Sequence, residues 1–326
     1  MKKPLVSVIV LNWNNKADLE ICLNSLTKQS YKTYEVLVVD NASTDSSPDL
    51  VRKKFPKFKL IQNKKNYGFA KGNNIGIENA KGKYVVTLNN DTRVDQQWID
   101  ELVRVAEQHP EAGSFSSKML FFDNPNRINS IGLKLYWDGK AVDEAFNEED
   151  KGQYEETKEV FGACGGSAFF RKEALEDVKI GNDYYDSDFG FYSEDLDLSF
   201  RLQLRSWKCL YVPNAKLLHK FGGSTGKIKD FGLYYGIKNK ILFIIKNYPL
   251  RLLILYSPVI IARQIISFVY YLLRLNKSAF TSRLLIFYYI PKMLRKRWKI
   301  QRTRKISYSR IKKLLHQRPL LDVLFK

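Results

Sequence analysis

Between Phe231 and Leu321 the chain contains no Asp and no Glu, against twenty Lys and Arg. Those cations equal the whole formal charge of +20, so the other 235 residues are neutral overall. The split implies a balanced globular part followed by a basic region that meets something anionic, a membrane surface or a nucleic acid. Cysteine is scarce as well. Cys22, Cys164 and Cys209 are odd in number and widely spaced, which argues against a disulfide framework or a zinc site and fits a reducing cytosol. The opening Met1-Lys2-Lys3-Pro4 leads straight into an apolar run without a signal-peptide pattern, so the first domain is expected to stay in the cytoplasm. Two nucleotide signatures are also missing. No Gly-rich turn follows the first apolar run, and no Walker lysine loop occurs, so a nucleotide would have to be held by side chains and metal.

What is present begins with length. With 326 residues, 44% of them apolar, the chain can bury a full core and exceeds the usual size of one domain. The expected division is residues 1–226 as one α/β domain and 227–326 as a basic, amphipathic helical region. Leu5 to Leu11 and Tyr34 to Val39 are short β-branched runs, and between them Leu19, Cys22, Leu23 and Leu26 recur at helical spacing. Lys59 to Gln62 and Lys83 to Leu88 supply two further strands, with a helix from Ala70 to about Ala80 between them. Strands alternating with helices predict a mostly parallel sheet with flanking helices.

In such sheets, ligands lie beyond the carboxyl ends of the strands. Val85-Val86-Thr87-Leu88 reads as a strand end, and Asn89-Asn90-Asp91-Thr92 follows at once. Taken alone, that tetrapeptide is an ordinary turn. It is also a sparse site for a hard cation carrying a diphosphate, because water and phosphate complete the shell of such an ion. Asp40-Asn41-Ala42-Ser43-Thr44-Asp45 occupies the same position after the second strand, where Ser43, Thr44 or Asp45 can cap the next helix. From Leu196 to Leu204 the apolar residues fit either strand or helix. A helix starting near Glu194 is preferred, because Ser193 is a good N-cap residue and acids suit a first turn.

The strings VSVIVLNWN, VVDNASTDSS, NKKNYGFAKGNNIGI, TLNNDT, FGACGGSAFFRKEAL and FGFYSEDLDLSFRLQLRSW, in that order, resemble glycosyltransferase family 2, in particular its rhamnosyltransferase-like branch. The resemblance runs from about Leu5 to Gly223. It implies the GT-A fold and an inverting hexosyltransferase that uses a nucleotide-diphosphate sugar. By position it implies that Asp40 bonds a pyrimidine base, with Asn41, Asn66, Gly68, Asn73 and Asn89 around the nucleotide. Asp91 and His219 would hold Mg²⁺ or Mn²⁺, Asp195 would be the general base, and Glu194 and Asp197 would orient the acceptor. Gly68 is expected to need a positive φ or a close backbone approach. The small residues from Gly162 to Ala168 are expected beside the donor sugar or at a tight sheet bend. Asn124 to Glu159 reads as an excursion without firm structure, and Phe221 to Gly226 as a flap or a linker.

Beyond Phe231 the spacing becomes helical. Leu252 to Leu275 is strongly apolar but is interrupted by Pro258 and by Arg263-Gln264, and a central arginine is costly in an isolated span. Apolar faces flanked by cations and no anions predict helices lying in the interface of an anionic membrane. A helical subdomain packed on the core, a single span and a nucleic-acid arm are the competing readings. No nucleic-acid partner is expected. Together these features lead to an enzyme at the cytoplasmic face of the membrane that moves a sugar, rhamnose first, from a dTDP- or UDP-sugar to a lipid-linked or cell-surface glycan precursor. A non-catalytic nucleotide-sugar or glycan-binding protein of the same fold is the alternative.

Overall fold

A computed structural model describes residues 3–220, 222 and 230–325. The first half is β1 (Val6–Asn12), α1 (Lys16–Thr27), β2 (Tyr34–Asp40), α2 (Ser47–Lys54), β3 (Lys59–Gln62), α3 (Gly68–Asn79) and β4 (Tyr84–Asn89). β1 pairs in parallel with both β2 and β4, and β3 pairs in parallel with β2. The alternation of side chains along each strand divides the core. Val8, Val10 and Val86 face Leu19 and Leu23 of α1 on one side of the sheet, while Ile9, Val39 and Val85 face Ala70 and Ile77 of α3 on the other. The helix α3 lies unusually close to the sheet. A Cβ at Gly76 would fall 2.4 Å from Ile9 Cγ2, which explains the glycine there.

The chain continues through β5 (Thr92–Val94), α4 (Trp98–Gln108), β6 (Ala112–Phe121), β7 (Ile128–Ser130), β8 (Leu133–Leu135), β9 (Ala141–Asp143), β10 (Lys158–Val160), β11 (Ser167–Arg171), α5 (Lys172–Asp177), α6 (Glu194–Leu204) and β12 (Lys208–His219). The main sheet has the order β10-β12-β6-β11-β4-β1-β2-β3, with β5 on β12 and β7 on β6. The strand β11 runs antiparallel to both β4 and β6. Its start therefore lies against the end of β4, with Ser167 opposite Leu88.

Three expectations need correction. The stretch Asn124 to Glu159 is structured, holding β7, β8, β9 and part of β10, each only three residues long and too short to register as a period. The apolar run from Lys208 to Val212 predicts a strand that stops before Pro213, yet β12 runs on to His219, because a register shift between Val212 and Lys216 accommodates the proline. Ser193 makes no side-chain cap bond and has a φ of 67°, although α6 does begin at Glu194.

The final segment forms α7 (Phe231–Asn247), α8 (Leu250–Leu273), α9 (Lys277–Arg302), α10 (Tyr308–Leu314) and α11 (Leu320–Phe325). Pro258 does not interrupt α8. The Ser257 hydroxyl donates to the Ile254 carbonyl, the group that Pro258 leaves without its helical partner. Leu242, Phe243, Tyr248 and Leu252 share an apolar cluster with Phe189, Leu196 and Phe200, so these helices are packed onto α6. Charges reinforce the contact. Lys246 Nζ, fully buried, lies 2.6 Å from Asp186 and 2.6 Å from Asp197, while Arg201 pairs with Asp197 at 2.9 Å and Lys296 with Asp186 and Asp188.

Removing one partner from such a network leaves buried charge uncompensated. Lys246→Met is expected to lower unfolding free energy by about 3–5 kcal/mol, read from the urea midpoint, whereas a loss below about 1 kcal/mol would mean that Arg201 and Lys296 alone hold the carboxylates.

Candidate active site

The carboxyl ends of β1, β2 and β4, the segment before β11, the end of β12 and the start of α6 surround one cavity of about 590 Å³. Its base is a lattice of amides. Asn90 Nδ2 donates to Asn12 Oδ1 at 2.6 Å, and Asn12 Nδ2 donates to Asp40 Oδ1 at 3.1 Å. Asn41 Nδ2 donates to Asn66 Oδ1 and to the Gly68 carbonyl, and Asn63 donates to Asn41 Oδ1 at 2.8 Å. Gly68 has a φ of 78°, as expected from its place between the loop and α3, and its N–H donates to Asn66 Oδ1.

Opposite this lattice stand Asp91 and His219. His219 Nε2 lies 3.4 Å from Asp91 Oδ1, and that oxygen is buried without a hydrogen-bond donor. His219 Nδ1 is 2.8 Å from Asn129 Oδ1. With Asn129 accepting, the ring proton sits on Nδ1 and the Nε2 lone pair faces Asp91. An orphaned carboxylate oxygen beside a free imidazole nitrogen suits a divalent cation. Among the described residues no third His, Cys, Asp or Glu completes a cluster, so phosphate and water would have to supply the remaining oxygens.

The acidic start of α6 forms a third side. Asp195 Oδ2 accepts from Gly165 N–H at 2.9 Å and Oδ1 from Leu196 N–H at 2.7 Å. Burial pushes its carboxyl up to about 6 against those two bonds. Glu194 lines the same wall with Oε2 unpartnered, and burial together with the neighbouring Asp195 charge pushes it well above the usual carboxylate range. Of the two, Asp195, with two backbone donors, gives up its proton the more readily. The turn leading into α6 is held from α7: the Asn239 amide donates to the carbonyls of Phe189, Phe191 and Tyr192. That clamp supports Tyr192 and Ser193, whose φ values of 63° and 67° are strained for non-glycine residues.

Of the residues expected at the site, Asn41, Asn66, Gly68, Asn89, Asp91, Glu194, Asp195 and His219 line this cavity. Three do not. Asp40 is 1% exposed and lies behind the wall, where it fixes Asn12 and the Ser43 N–H. Asn73 is also 1% exposed, its amide donating to the Phe69 carbonyl within α3. Asp197 is fully buried in the pairs with Lys246 and Arg201, because two residues along a helix turn a side chain by roughly 200°, away from the face that carries Asp195. Sequence reasoning missed Asn129, which holds His219, and Asp143, which lines the cavity with its carboxyl raised by burial. Both sit on three-residue strands that carry no periodic signal. The glycine-rich expectation at 221–226 falls outside the described residues except for Gly222, which lines the cavity.

The sequence profile of glycosyl transferase family 2 matches residues 7–179. An N-acetylglucosaminyl-diphospho-decaprenol L-rhamnosyltransferase of Mycobacterium tuberculosis is 26% identical over 247 residues, covering 68% of this chain and 78% of that protein. The putative glycosyltransferase EpsH of Bacillus subtilis is 30% identical over 141 residues, 42% of this chain and 41% of its own. Among solved structures, GalNAc-T7 with UDP, GalNAc and Mn²⁺ superposes with a TM-score of 0.64 at 16% identity, covering 81% of this chain and 51% of that one. S. aureus TarS 1–349 in complex with UDP gives 0.52 at 18% identity, covering 79% and 69%. The architecture is the GT-A fold, and the chain belongs to glycosyl transferase family 2 as a glycosyltransferase.

Proposed function

We propose that the protein transfers a sugar, with inversion, from a dTDP- or UDP-sugar to a hydroxyl of a lipid-linked glycan precursor at the cytoplasmic face of a membrane. The observation that carries this reading is the meeting, in one cavity, of the orphaned Asp91–His219 pair and the Asp195 side chain. Rhamnose is the sugar assigned first, supported by the name of the mycobacterial relative. Asn41, Asn66, Gly68 and Asn89 border the nucleoside end of the cavity. Asp91 and His219 would hold Mg²⁺ or Mn²⁺, and such an ion supplies charge neutralisation to a departing diphosphate. Mn²⁺ beside UDP in GalNAc-T7 accords with that assignment. Asp195 takes the proton of the acceptor hydroxyl as its oxygen attacks the anomeric carbon and the bond to the diphosphate breaks. Burial and the neighbouring Asp195 favour the protonated form of Glu194, which can both donate to and accept from a second acceptor hydroxyl.

The membrane placement rests on the helical region. Residues 227–326 form the proposed membrane-associating part, and α8 is long and apolar enough to cross a bilayer, with 6% of its most apolar window buried. Its two ends are nevertheless tied to the two ends of α7. Leu252 packs in the cluster around Tyr248, and beyond the far end of α8 Asn276 donates to Asp230 at 3.3 Å. The mid-helix cation Arg263 donates to the Val323 carbonyl on α11. Anchorage at both ends supports the reading that α8 lies on a membrane surface and does not cross it. Exposed Ile254, Ile261, Ile265, Leu273 and Phe287 form the face that would enter it.

Calorimetry against nucleotide-diphosphate sugars, with Mn²⁺ and with chelator, tests the donor reading. Asp91→Ala is expected to abolish metal-dependent donor binding, and metal-independent binding of equal strength in the variant would remove the cation from Asp91. Asp195→Asn should retain donor binding while transfer falls roughly 100- to 10,000-fold. Because the base works ionised, the wild-type acceptor rate should rise with pH through about 6 and level off above it, and this limb should vanish in Asp195→Asn. Donor binding without transfer to any acceptor would favour the non-catalytic alternative. For the membrane, Ile265→Glu combined with Leu273→Glu should weaken co-sedimentation with anionic liposomes at unchanged thermal midpoint, and unaltered sedimentation would discard the α8 face.

A further inference from the structure

A second cavity, of about 460 Å³, lies at the elbow between α8 and α9, walled by Phe268, Tyr271, Leu272, Leu275, Phe280 and Arg283. Its wall is mostly apolar, with Asn276, Thr281 and two cations among the lining residues. Arg283 lies 5.8 Å from the ring centroids of both Phe268 and Tyr271, and it donates to the Ala279 carbonyl at 2.8 Å and to Ser267 Oγ at 2.7 Å. Its Nε is buried and has no acceptor, and among the described residues no carboxylate pairs with it. Lys277 adds a second positive charge to the same wall. A half-buried guanidinium beside two aromatic rings, with one N–H unpartnered and no anion, suits an anion carried on an apolar stem. The volume falls in the range of ligand pockets.

The place of this cavity selects the occupant. Asn276, on its wall, donates to Asp230 at the head of α7, and the next residue, Phe231, lines the catalytic cavity. A ligand whose anionic head sits at Arg283 and Lys277 is therefore held beside the mouth where the acceptor hydroxyl must enter. We propose that the elbow cavity binds the lipid carrier of the acceptor, a long hydrocarbon chain ending in phosphate or diphosphate, and so presents the attached glycan to Asp195. This inference rests on the lipid-linked acceptor reading and adds a site to it.

The test is equilibrium binding of farnesyl diphosphate to the full-length protein in chelator, with farnesol and inorganic pyrophosphate as separate arms. Saturable binding of farnesyl diphosphate is expected, with each of the other two at least tenfold weaker. Arg283→Gln and Leu272→Trp should each weaken binding at least tenfold, while Asp91→Ala, in the other cavity, should leave it unchanged. If Arg283→Gln does not fold, Leu272→Trp decides, because Leu272 is half exposed and filling the cavity there alters no charge. Absence of saturable binding, equal binding of all three probes, or loss of binding in Asp91→Ala would overturn the proposal. So would an equal loss in Arg283→Gln of binding to phosphatidylglycerol vesicles that contain no isoprenoid, which would make the elbow a general membrane contact. Failure of the transferase reading would appear elsewhere, as absence of sugar transfer to a water-soluble acceptor.

Discussion

The antiparallel pairing of β11 against β4 is the constraint on which the cavity depends. Parallel strands alone bring the ends of β1, β2 and β4 to one edge and leave its far side open. Reversing β11 carries the segment before it to that same edge, so that Gly165 and Gly166 stand beside Asn89 to Asp91, and the Gly166 carbonyl accepts from the Asn89 N–H at 3.0 Å. Two further elements then close on these glycines. A Cβ at Gly166 would lie 3.4 Å from His219 Cε1, and Gly165 N–H holds Asp195 at 2.9 Å. The small residues thus stand between the proposed cation end and the proposed base end of one cavity.

Electrostatics then separate two carboxylates that the sequence places side by side. Asp195 keeps two backbone donors that favour its ionised form, whereas Glu194 has an unpartnered oxygen, and burial with the neighbouring Asp195 pushes its carboxyl well above the usual range. Asp197, on the other face of α6, is held by Lys246 and Arg201. That triad makes the basic helices part of the site's support. Asn239 and Lys246, both on α7, fix the turn into α6 and the underside of its first turn, so anything that moves α7 bears on Asp195.

The basic region serves two ends at once. Some of its cations point inward, where Lys246 and Lys296 reach acidic side chains of the body. Its apolar residues at α8 and the elbow point outward instead. A helical subdomain packed on the core and the proposed membrane-facing surface, weighed as rivals on composition, are compatible because they use different faces of the same helices.

The strand and helix order through β4, the helical start at Glu194, and the gathering of Asn41, Asn66, Gly68, Asn89, Asp91, Asp195 and His219 were legible in the sequence. Those elements are long enough to show a period, Asn41, Asn89 and Asp91 fall at strand ends, where open α/β sheets hold ligands, and the other residues were placed by the resemblance to glycosyltransferase family 2. Asn129, Asp143, the burial of Asp40 and Asn73, and the diversion of Asp197 into an ion pair were decided by tertiary structure. The three-residue strands take their shape from the neighbours they pair with, leaving no local pattern to read. Whether a carboxylate meets a cavity or a lysine depends on what packs against its helix, and Lys246 reaches Asp197 from 49 residues further along the chain.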